Sequence, residues 1–590
     1  MVGGFAGVMF KQLGWMVTII ISLSLIIALT LTPMMSAKMM RGNKDKKLSH
    51  FDRWYNKNIL PLLDRLDHGY GRLVNWVSRR RKATVWMVIL IFVVSVGISA
   101  VTLKTEFMPA SDNNTIGLTV EMPTGTRMEV ARETGQLIAE KMREKYPEIE
   151  IISLSVGAAG EDDTWAAMQD NASNIISYQL RLTEAKNRKK TIFDISDEMR
   201  EDLSQMPELH RYQVMPGGGD MGMTTGSNVA VEIFGYSFAD TDQMAQELRQ
   251  KLQDVKGLRD IMVSRKEYRM EYQIQFDREK MALNGLNMST VANAVRNRIN
   301  GLTMSRFRED GEEYNIRVRF EEQYRQSIED IENIIVYNAM GTGVRVRDLG
   351  KVVESSTLPQ IDRQDRERIV TVSGTLYGRA LSEVVKDVSL IIDQLDPPAG
   401  VQVEMSGTLE DQQESFADLS LLLLIVSLLV YIVLASQFES LTYPFMIILT
   451  VPFAFTGSIL LLAITGEPLG IMGFVGMIML VGMVVKNAIV LIDYINLNRE
   501  RGMSIITAVT HGGRSRLRPV LMTTLTTILG MIPLAIGTGQ GSEMWQTLGI
   551  AIIGGMTFST IIPPWPAMVY AADVASIVRY WWGMVIKRYI

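Results

Sequence analysis

The feature that most constrains this chain is a set of apolar runs, each long enough to cross a lipid bilayer. About 20 apolar residues in a helix span the hydrocarbon core. By that criterion the sequence predicts seven membrane spans, which lie at residues 14–35, 84–103, 419–436, 441–464, 469–492, 519–538 and 545–568. The uncharged run 12–37 is too long for the apolar core of a signal peptide, so the first run is interpreted as a span.

Basic residues between the apolar runs indicate how the chain is oriented. Residues 36–82 hold 13 Lys and Arg against 4 Asp and Glu, and residues 493–518 hold 5 against 2. With seven spans, both segments and the basic tail fall on the same side of the membrane. The positive-inside rule makes that side the cytoplasm, so residues 104–417 are predicted to lie outside it.

These assignments divide the chain into six parts. They are a first transmembrane helix (1–37), a basic cytoplasmic loop with an amphipathic helix (38–82), a second transmembrane helix (83–103), an outer domain (104–417), a five-helix transmembrane bundle (418–572) and a cytoplasmic tail (573–590).

The outer domain shows a repeating strand and helix pattern. Alternating apolar residues mark strands, and apolar residues at i, i+3, i+4 and i+7 mark helices, as in the apolar stripe at 381–395. Four β-α-β units follow from these patterns, at 116–156, 173–216, 228–263 and 368–406, with an insert at roughly 264–360. Paired β-α-β units are typical of ferredoxin-like subdomains. The predicted fold class is therefore a membrane α-helical bundle of about seven spans with an extracytoplasmic α+β domain of ferredoxin-like repeats.

Two features of the outer domain bear on ligands. It holds 53 Asp and Glu against 37 Lys and Arg, which favours cationic ligands by long-range attraction or is no more than a soluble surface. The loop at 157–173 is a candidate substrate contact or a plain connector, and its candidate residues are Gly157, Glu161, Trp165 and Met168. A second glycine-rich loop, 215–227, is a weaker candidate.

One ionisable residue stands inside an apolar run. Lys486 is the single charge between residues 468 and 492, and a lysine at mid-membrane costs roughly 2.5–3.5 kcal/mol on insertion scales. Asp493 lies about 10 Å further along the same helix, too far for a direct pair. The interiors of the seven predicted spans contain no Asp or Glu. Lys486 is therefore a functional candidate that needs a carboxylate from elsewhere, the alternative being a snorkelling side chain without function.

Several classes of function lack support in the sequence. The chain has no cysteine, and its four histidines show no ligand spacing, so no metal site and no bound cofactor are predicted. Zinc-protease HExxH and hydrolase GxSxG motifs are absent, which argues against an enzyme. No nucleic-acid partner is expected.

Five stretches resemble the C-terminal half of resistance–nodulation–division (RND) efflux pumps of the acriflavine-resistance, AcrB-like family. They are MFKQLGWMVTIIISLSLIIALTLTPMMSA, FMPASDNNTIGLTVEMPTGT, FDREKMALNGLNMSTVANAVR, VGMVVKNAIVLIDY and RLRPVLMTTLTTILGMIPLA. The resemblance implies a homotrimeric inner-membrane pump, with its large domain in the periplasm, that exports hydrophobic or amphiphilic compounds. It also implies a periplasmic adaptor and an outer-membrane channel as partners.

The resemblance assigns roles to four membrane residues. Lys486 and Asn487 match the family's proton-relay lysine and its neighbour, Thr523 matches the relay threonine, and Arg516 matches the arginine near the cytoplasmic end. In the family the lysine pairs with two aspartates on a helix of the N-terminal half, and the inward proton gradient drives export.

The chain also departs from the family pattern. The five helices and the aspartate pair that precede the matched region in the family have no counterpart here, so a separate or longer polypeptide is expected to supply the N-terminal half. A non-transporting membrane-anchored binding or scaffold protein is the alternative. The segment GAAGEDDTW has no phenylalanine where multidrug members are Phe-rich, and prolines at 563, 564 and 566 interrupt the last span.

Overall fold

A computed structural model gives the arrangement of most of the chain. It describes residues 4–39, 57, 60–109, 111–157, 172–218, 228–537 and 539–561 of the 590. Within them the chain separates into two compact units, which are Met1–Met122, Met128–Ser264 and Gln364–Ile590 in the first, and Pro123–Arg127 with Arg265–Arg363 in the second.

The helices and strands are numbered in chain order. The helices are α1 (Gly4–Met39), α2 (Leu60–Arg79), α3 (Arg81–Thr102), α4 (Met128–Lys145), α5 (Ile192–Ser204), α6 (Phe238–Gln253), α7 (Arg278–Leu283), α8 (Met288–Ile299), α9 (Ile328–Glu332), α10 (Val346–Leu349), α11 (Leu381–Asp393), α12 (Thr408–Phe438), α13 (Thr442–Ile448), α14 (Val451–Thr465), α15 (Ile471–Glu500), α16 (Ile505–Ile536) and α17 (Ser542–Ile561). The strands are β1 (Thr115–Glu121), β2 (Ile149–Val156), β3 (Ile175–Leu182), β4 (Arg211–Pro216), β5 (Asn228–Phe234), β6 (Leu258–Val263), β7 (Arg269–Phe276), β8 (Leu302–Glu309), β9 (Glu312–Val318), β10 (Ile335–Tyr337), β11 (Gly343–Arg345), β12 (Gly350–Thr357), β13 (Arg363–Gln364), β14 (Glu367–Leu376) and β15 (Gln402–Gly407).

Six stretches of the described chain are helical, long and apolar enough to cross a membrane. They are α1, α3, α12, the α13–α14 pair, α15 and α16. The predicted seventh span begins within α17, but it continues to residue 568, beyond the described residues. The seventh span therefore stays a prediction.

Two helix boundaries differ from the apolar runs. The predicted span 441–464 is two helices, because a turn at Leu449 and Thr450 precedes Pro452, whose ring and missing N–H disfavour a continuous helix there. Helix α12 starts at Thr408, inside the segment assigned to the outer domain. Seven of its first ten residues are polar, so hydropathy alone does not mark this part of the helix.

The first half of the outer domain is an antiparallel four-stranded sheet with two helices. The strand order is β2-β3-β1-β4, and α4 and α5 each connect two of its strands. One core fills the space between sheet and helices, built from alternate strand residues such as Ile116, Leu118 and Tyr178, and from the buried face of α5. The strands and helices predicted for this segment are confirmed.

The second half repeats this plan with a long interruption. Strands β6, β14, β5 and β15 lie side by side in that order. Helices α6 and α11 connect them, and Leu248, Val372 and Val384 lie in their common core. The predicted stripe on α11 is buried at Leu381, Val384 and Val388, because those positions lie on one helical face.

The interrupting segment, residues 265–363, belongs to the second compact unit. It contains the antiparallel pair β7–β12, the hairpin β8–β9 and the short pair β10–β11. Met281, Val291 and Val336 belong to its small core. Every residue of the β8–β9 hairpin is exposed.

A backbone junction joins the exit of α3 to the loop before α15. The Leu469 N–H donates to the Lys104 carbonyl at 2.8 Å, and the Glu106 N–H donates to the Leu469 carbonyl at 3.2 Å. Helix α11 is attached to the same segment, since the Thr105 N–H donates to the Ser382 hydroxyl at 3.3 Å and Lys104 pairs with Glu383 at 3.4 Å. The junction therefore connects the membrane helices to the second α+β half.

The junction carries a group that titrates near neutral pH. Burial, and secondarily the Glu467 carboxylate, raise the pKa of Glu106 to about 7. The pKa of an unperturbed glutamate is about 4.3, so the folded state binds this proton more tightly than the unfolded chain does. The stability linked to that proton is therefore present at low pH and is lost as the pH rises through about 7.

Replacing this group with a neutral amide should remove that dependence. We expect the melting temperature of Glu106→Gln to fall less steeply than that of the unchanged chain between about pH 5 and 7.5. Thermal unfolding in detergent across this pH range measures it, with the exposed Glu414→Gln as a control that keeps the original slope. An unchanged slope in Glu106→Gln would contradict the assignment.

Candidate functional site

The candidate site lies on α15, which carries Lys486 and Asn487 at its centre. Successive residues of an α-helix point about 100° apart, so the two side chains face different directions. Helix α15 packs against α16 and α17, and most of its apolar residues before Lys486 are buried. Its packing directs one polar side chain towards these helices and the other away from them.

Asn487 is directed towards the neighbouring helices. Its amide Nδ2 donates a long hydrogen bond of 3.4 Å to the Thr524 hydroxyl of α16. The Thr560 hydroxyl of α17 lies 3.1 Å from the same Thr524 oxygen and 2.7 Å from the Met556 carbonyl. Thr524 is buried, with 2% of its surface exposed. A buried polar group is costly without a partner, so this chain of contacts stabilises the meeting point of three helices.

A cavity opens beside this polar contact. It has a volume of about 50 Å³, and its polar lining groups are Tyr70, Thr450, Asn487, Arg516, Ser559 and Thr560. A water molecule needs about 10–15 Å³ by this measure together with two to four polar partners. The cavity therefore has the size and chemistry to hold a few water molecules within the helix bundle.

Arg516 brings a positive charge to the same cavity. Its guanidinium carbon lies 4.3 Å from the centre of the Tyr494 ring, a cation–π contact that partly offsets the loss of hydration. Its Nε is buried and has no hydrogen-bond partner among the described residues. An unsatisfied buried donor next to a water-sized space is a position at which a bound water restores a hydrogen bond.

Lys486 lies on the exposed side of α15. Across the described ranges its ammonium group makes no hydrogen bond and no ion pair. Asp493, two turns away, is also exposed and does not pair with it. The sequence argument that Lys486 needs a carboxylate from elsewhere is therefore still open within this chain.

Thr523, the predicted relay threonine, makes no hydrogen bond to α15 among the described residues. Thr523 is exposed, and its hydroxyl donates to the Val520 carbonyl of its own helix at 3.0 Å. Its neighbour Thr524, which sequence reasoning missed, makes the contact with α15. The signal was present in MTTLTT, but which of its threonines faces α15 depends on how α16 is rotated, and a single helix does not reveal that.

Of the four candidate residues in the substrate loop, Gly157 is the one that lies within the described residues. Gly157 directly follows β2 with φ +82°, and a Cβ there would lie 2.9 Å from the Met128 sulfur. Its glycine is therefore explained by the turn. Glu161, Trp165 and Met168 lie outside the described residues. Nowhere in the described chain do three His, Asp or Glu side chains converge as metal ligands.

The Asn487–Thr524 contact makes a stability prediction. Thr524→Val keeps the shape but removes the acceptor of the Asn487 amide, which should cost about 1–2 kcal/mol of unfolding free energy. Thr523→Val is the matched control, and its exposed hydroxyl should matter by less than about 0.5 kcal/mol. Unfolding in detergent micelles compares the two, and equal losses would contradict the placement of Thr524.

Comparisons with known proteins agree with this architecture. Residues 1–563 match the AcrB/AcrD/AcrF family. The chain is 26% identical to the swarming motility protein SwrC of Bacillus subtilis over 573 residues, covering 95% of this chain and 52% of SwrC. It is 28% identical to the cobalt-zinc-cadmium resistance protein CzcA of Cupriavidus metallidurans over 578 residues, with 95% and 52% covered. It is 25% identical to the multidrug resistance protein MdtC of Yersinia enterocolitica over 568 residues, with 95% and 53% covered.

Solved structures show the same fold. A crystal structure of a heavy metal efflux pump superposes with a TM-score of 0.69 at 26% identity, over 87% of this chain and 53% of that one. The chain thus spans about half the length of the relatives it matches. Because the family match extends over nearly the whole sequence, the chain belongs to the AcrB/AcrD/AcrF family of RND efflux transporters.

Proposed function

We propose that this chain acts as the C-terminal half of a proton-driven efflux permease of the bacterial inner membrane, and that it exports hydrophobic or amphiphilic compounds. The observation that carries the proposal is the contrast on α15. Asn487 donates to the hydroxyl of the buried Thr524, whereas Lys486, one residue away, faces outward without a partner in the described residues.

A charge kept at this position despite its cost needs a function. We infer that Lys486 pairs with membrane carboxylates of an N-terminal half, since the relatives are about twice as long as this chain. When those carboxylates bind protons, the attraction on the lysine weakens, and its helix is free to change position. Thr523 also lies on the exposed surface, where it can join such a relay.

The junction near Glu106 offers a route from the membrane helices to the outer domain. Hydrogen bonds and an ion pair connect the α3 exit, the loop before α15 and helix α11. A shift of α15 would therefore reach the second α+β half through adjoining backbone. Such contiguous contacts carry coupling between distant sites, and mutation tests it.

Three finer features belong to the same proposal. We infer that the two four-stranded halves are ferredoxin-like repeats, since each orders its strands as 2-3-1-4 within a β-α-β-β-α-β chain. The complete pump is proposed to be a homotrimer. A periplasmic adaptor and an outer-membrane channel are its proposed partners, as in the family.

The nature of the cargo has two candidates. Similarity to MdtC, a multidrug resistance protein, supports organic compounds. Similarity to CzcA and to a heavy metal efflux pump, together with the acidic outer domain, supports metal cations as the second candidate. Growth of a pump-deficient host that expresses the complete assembly, challenged in parallel with amphiphilic dyes and with zinc, cobalt or cadmium salts, separates them.

The relay role predicts the effect of removing the charge. Lys486→Met should abolish proton-coupled export in the complete assembly with little loss of expression, because the neutral side chain cannot respond to the carboxylates. Thr523→Ala should weaken export less. Efflux from energised vesicles measures both.

Val490→Met is the matched control, since Val490 lies one turn along the same helix face and is also exposed. The export rate of the Val490→Met assembly should stay near that of the unchanged assembly. Full export by Lys486→Met would refute the relay. Absence of export in the unchanged assembly would instead favour a non-transporting scaffold that has kept the fold.

A further inference from the structure

Helix α2 packs directly across the membrane helices that form the cavity. Val74 is fully buried together with Leu491 and Ile495 of α15 and with Ala508 and Val509 of α16. The rest of α2 is amphipathic, with polar residues on its opposite face. The apolar face of this helix therefore packs against α15 and α16.

Charged side chains hold α2 to α16. The Arg518 Nε donates to the Asp67 carboxylate at 2.7 Å, and its Nη2 donates to Asp64 at 2.6 Å. Arg514 lies 2.9 Å from the His68 ring nitrogen. We call the contacts of Arg518 with Asp64 and Asp67 the α2 clasp.

The two halves of the clasp differ in burial. Asp64 is exposed, and an exposed ion pair is worth little. The Asp67 side chain is only 13% exposed, so its charge depends on Arg518. Removing the partner of a buried charge is strongly destabilising, and the clasp therefore fixes the position of α2 through Asp67.

Tyr70 places α2 in the wall of the cavity. It lines the same space as Asn487 and Arg516. Burial raises the pKa of its hydroxyl above the usual range, so the phenol stays neutral there. Tyr70 lies three residues from Asp67, almost one helical turn, and movement at the clasp therefore moves this wall.

The helix is weakened on both sides of Tyr70. Gly69 and Gly71 flank it, and each glycine inside a helix costs up to about 1 kcal/mol relative to alanine. A Cβ at Gly69 would meet no atom within 4 Å, and one at Gly71 would meet Arg514 at an ordinary 3.7 Å. Close packing therefore does not require glycine at either position. The physical effect of the two glycines is to make the helix more flexible at Tyr70.

We propose that α2 is a gate on the polar cavity, and that the clasp of Arg518 with Asp64 and Asp67 holds Tyr70 in the closed position. Opening the gate admits water to Arg516 and Asn487. The purpose of the gate, which is the exchange of protons with the aqueous phase on the α2 side, rests on the proposed function. The opening of the gate is testable without measuring transport.

The absence of cysteine from the chain allows a direct test. Ser559→Cys introduces one thiol into the cavity lining with little change in size. Ser458→Cys is the matched control, because Ser458 is also fully buried but bonds to Ala551 instead of lining the cavity. Membranes that contain the full-length chain are treated with a water-soluble methanethiosulfonate reagent, and the labelling rate is measured.

The clasp is then opened by Asp64→Asn with Asp67→Asn. We expect labelling at position 559 to become about tenfold faster, as for a 1.4 kcal/mol shift of a two-state equilibrium, while labelling at 458 is unchanged. Gly69→Ala, which stiffens α2, should slow labelling at 559 in the intact clasp.

Two results would overturn the gate. One is an unchanged rate at 559 when the clasp is neutralised, and the other is an equal acceleration at 559 and 458, which would mean that the bundle as a whole has loosened. Because labelling does not require export, failure of the Lys486 relay and failure of the gate are distinguishable.

Discussion

The cost of a charge in a low-dielectric environment is the constraint on which the membrane part of this protein depends. Where three helices of the described bundle meet, the neutral polar groups of Asn487, Thr524 and Thr560 are paired with one another. The bundle leaves Lys486 on the outside, where a second set of helices would have to meet it. An unpaired charge on the face of an apolar helix bundle suits association with a partner of opposite charge.

Polar contacts also connect the region around α15 to two other parts of the structure. Towards the outer domain, backbone hydrogen bonds at Leu469 and side-chain contacts of Lys104 and Thr105 form a short, well-connected junction. Towards α2, Tyr70 lines the cavity beside Arg516, and the clasp at Arg518 holds the same helix. The first suits the transmission of movement, and the second suits controlled access of water.

Much of this could be predicted from the sequence because it depends on local periodicity. The alternation of apolar residues located the strands of both α+β halves, and the stripe on α11 is buried as expected. The lengths of the apolar runs located the six described helices that are long enough to cross a membrane. They did not reveal the break before Pro452 or the polar start of α12.

The candidate site was predictable only in part, because it depends on how helices are rotated against each other. The cost of a charge in an apolar run identified Lys486, and the family resemblance added Asn487. The sequence did not distinguish Thr523 from Thr524, whose roles are set by the rotation of α16. It also gave no sign of Tyr70 in the cavity wall, since α2 is separated from α15 by several hundred residues.

The central claim is that Lys486 meets a carboxylate outside this chain. Treatment of the complete assembly with a membrane-permeant carbodiimide, which joins an amine to a carboxylate in direct contact, followed by mass spectrometry of the peptides, tests it most directly. The account predicts a cross-link between the Lys486 peptide and an aspartate or glutamate peptide of the N-terminal half. Recovery of Lys486 unlinked, while other lysine–carboxylate pairs such as Lys190 with Glu198 are joined, would contradict it.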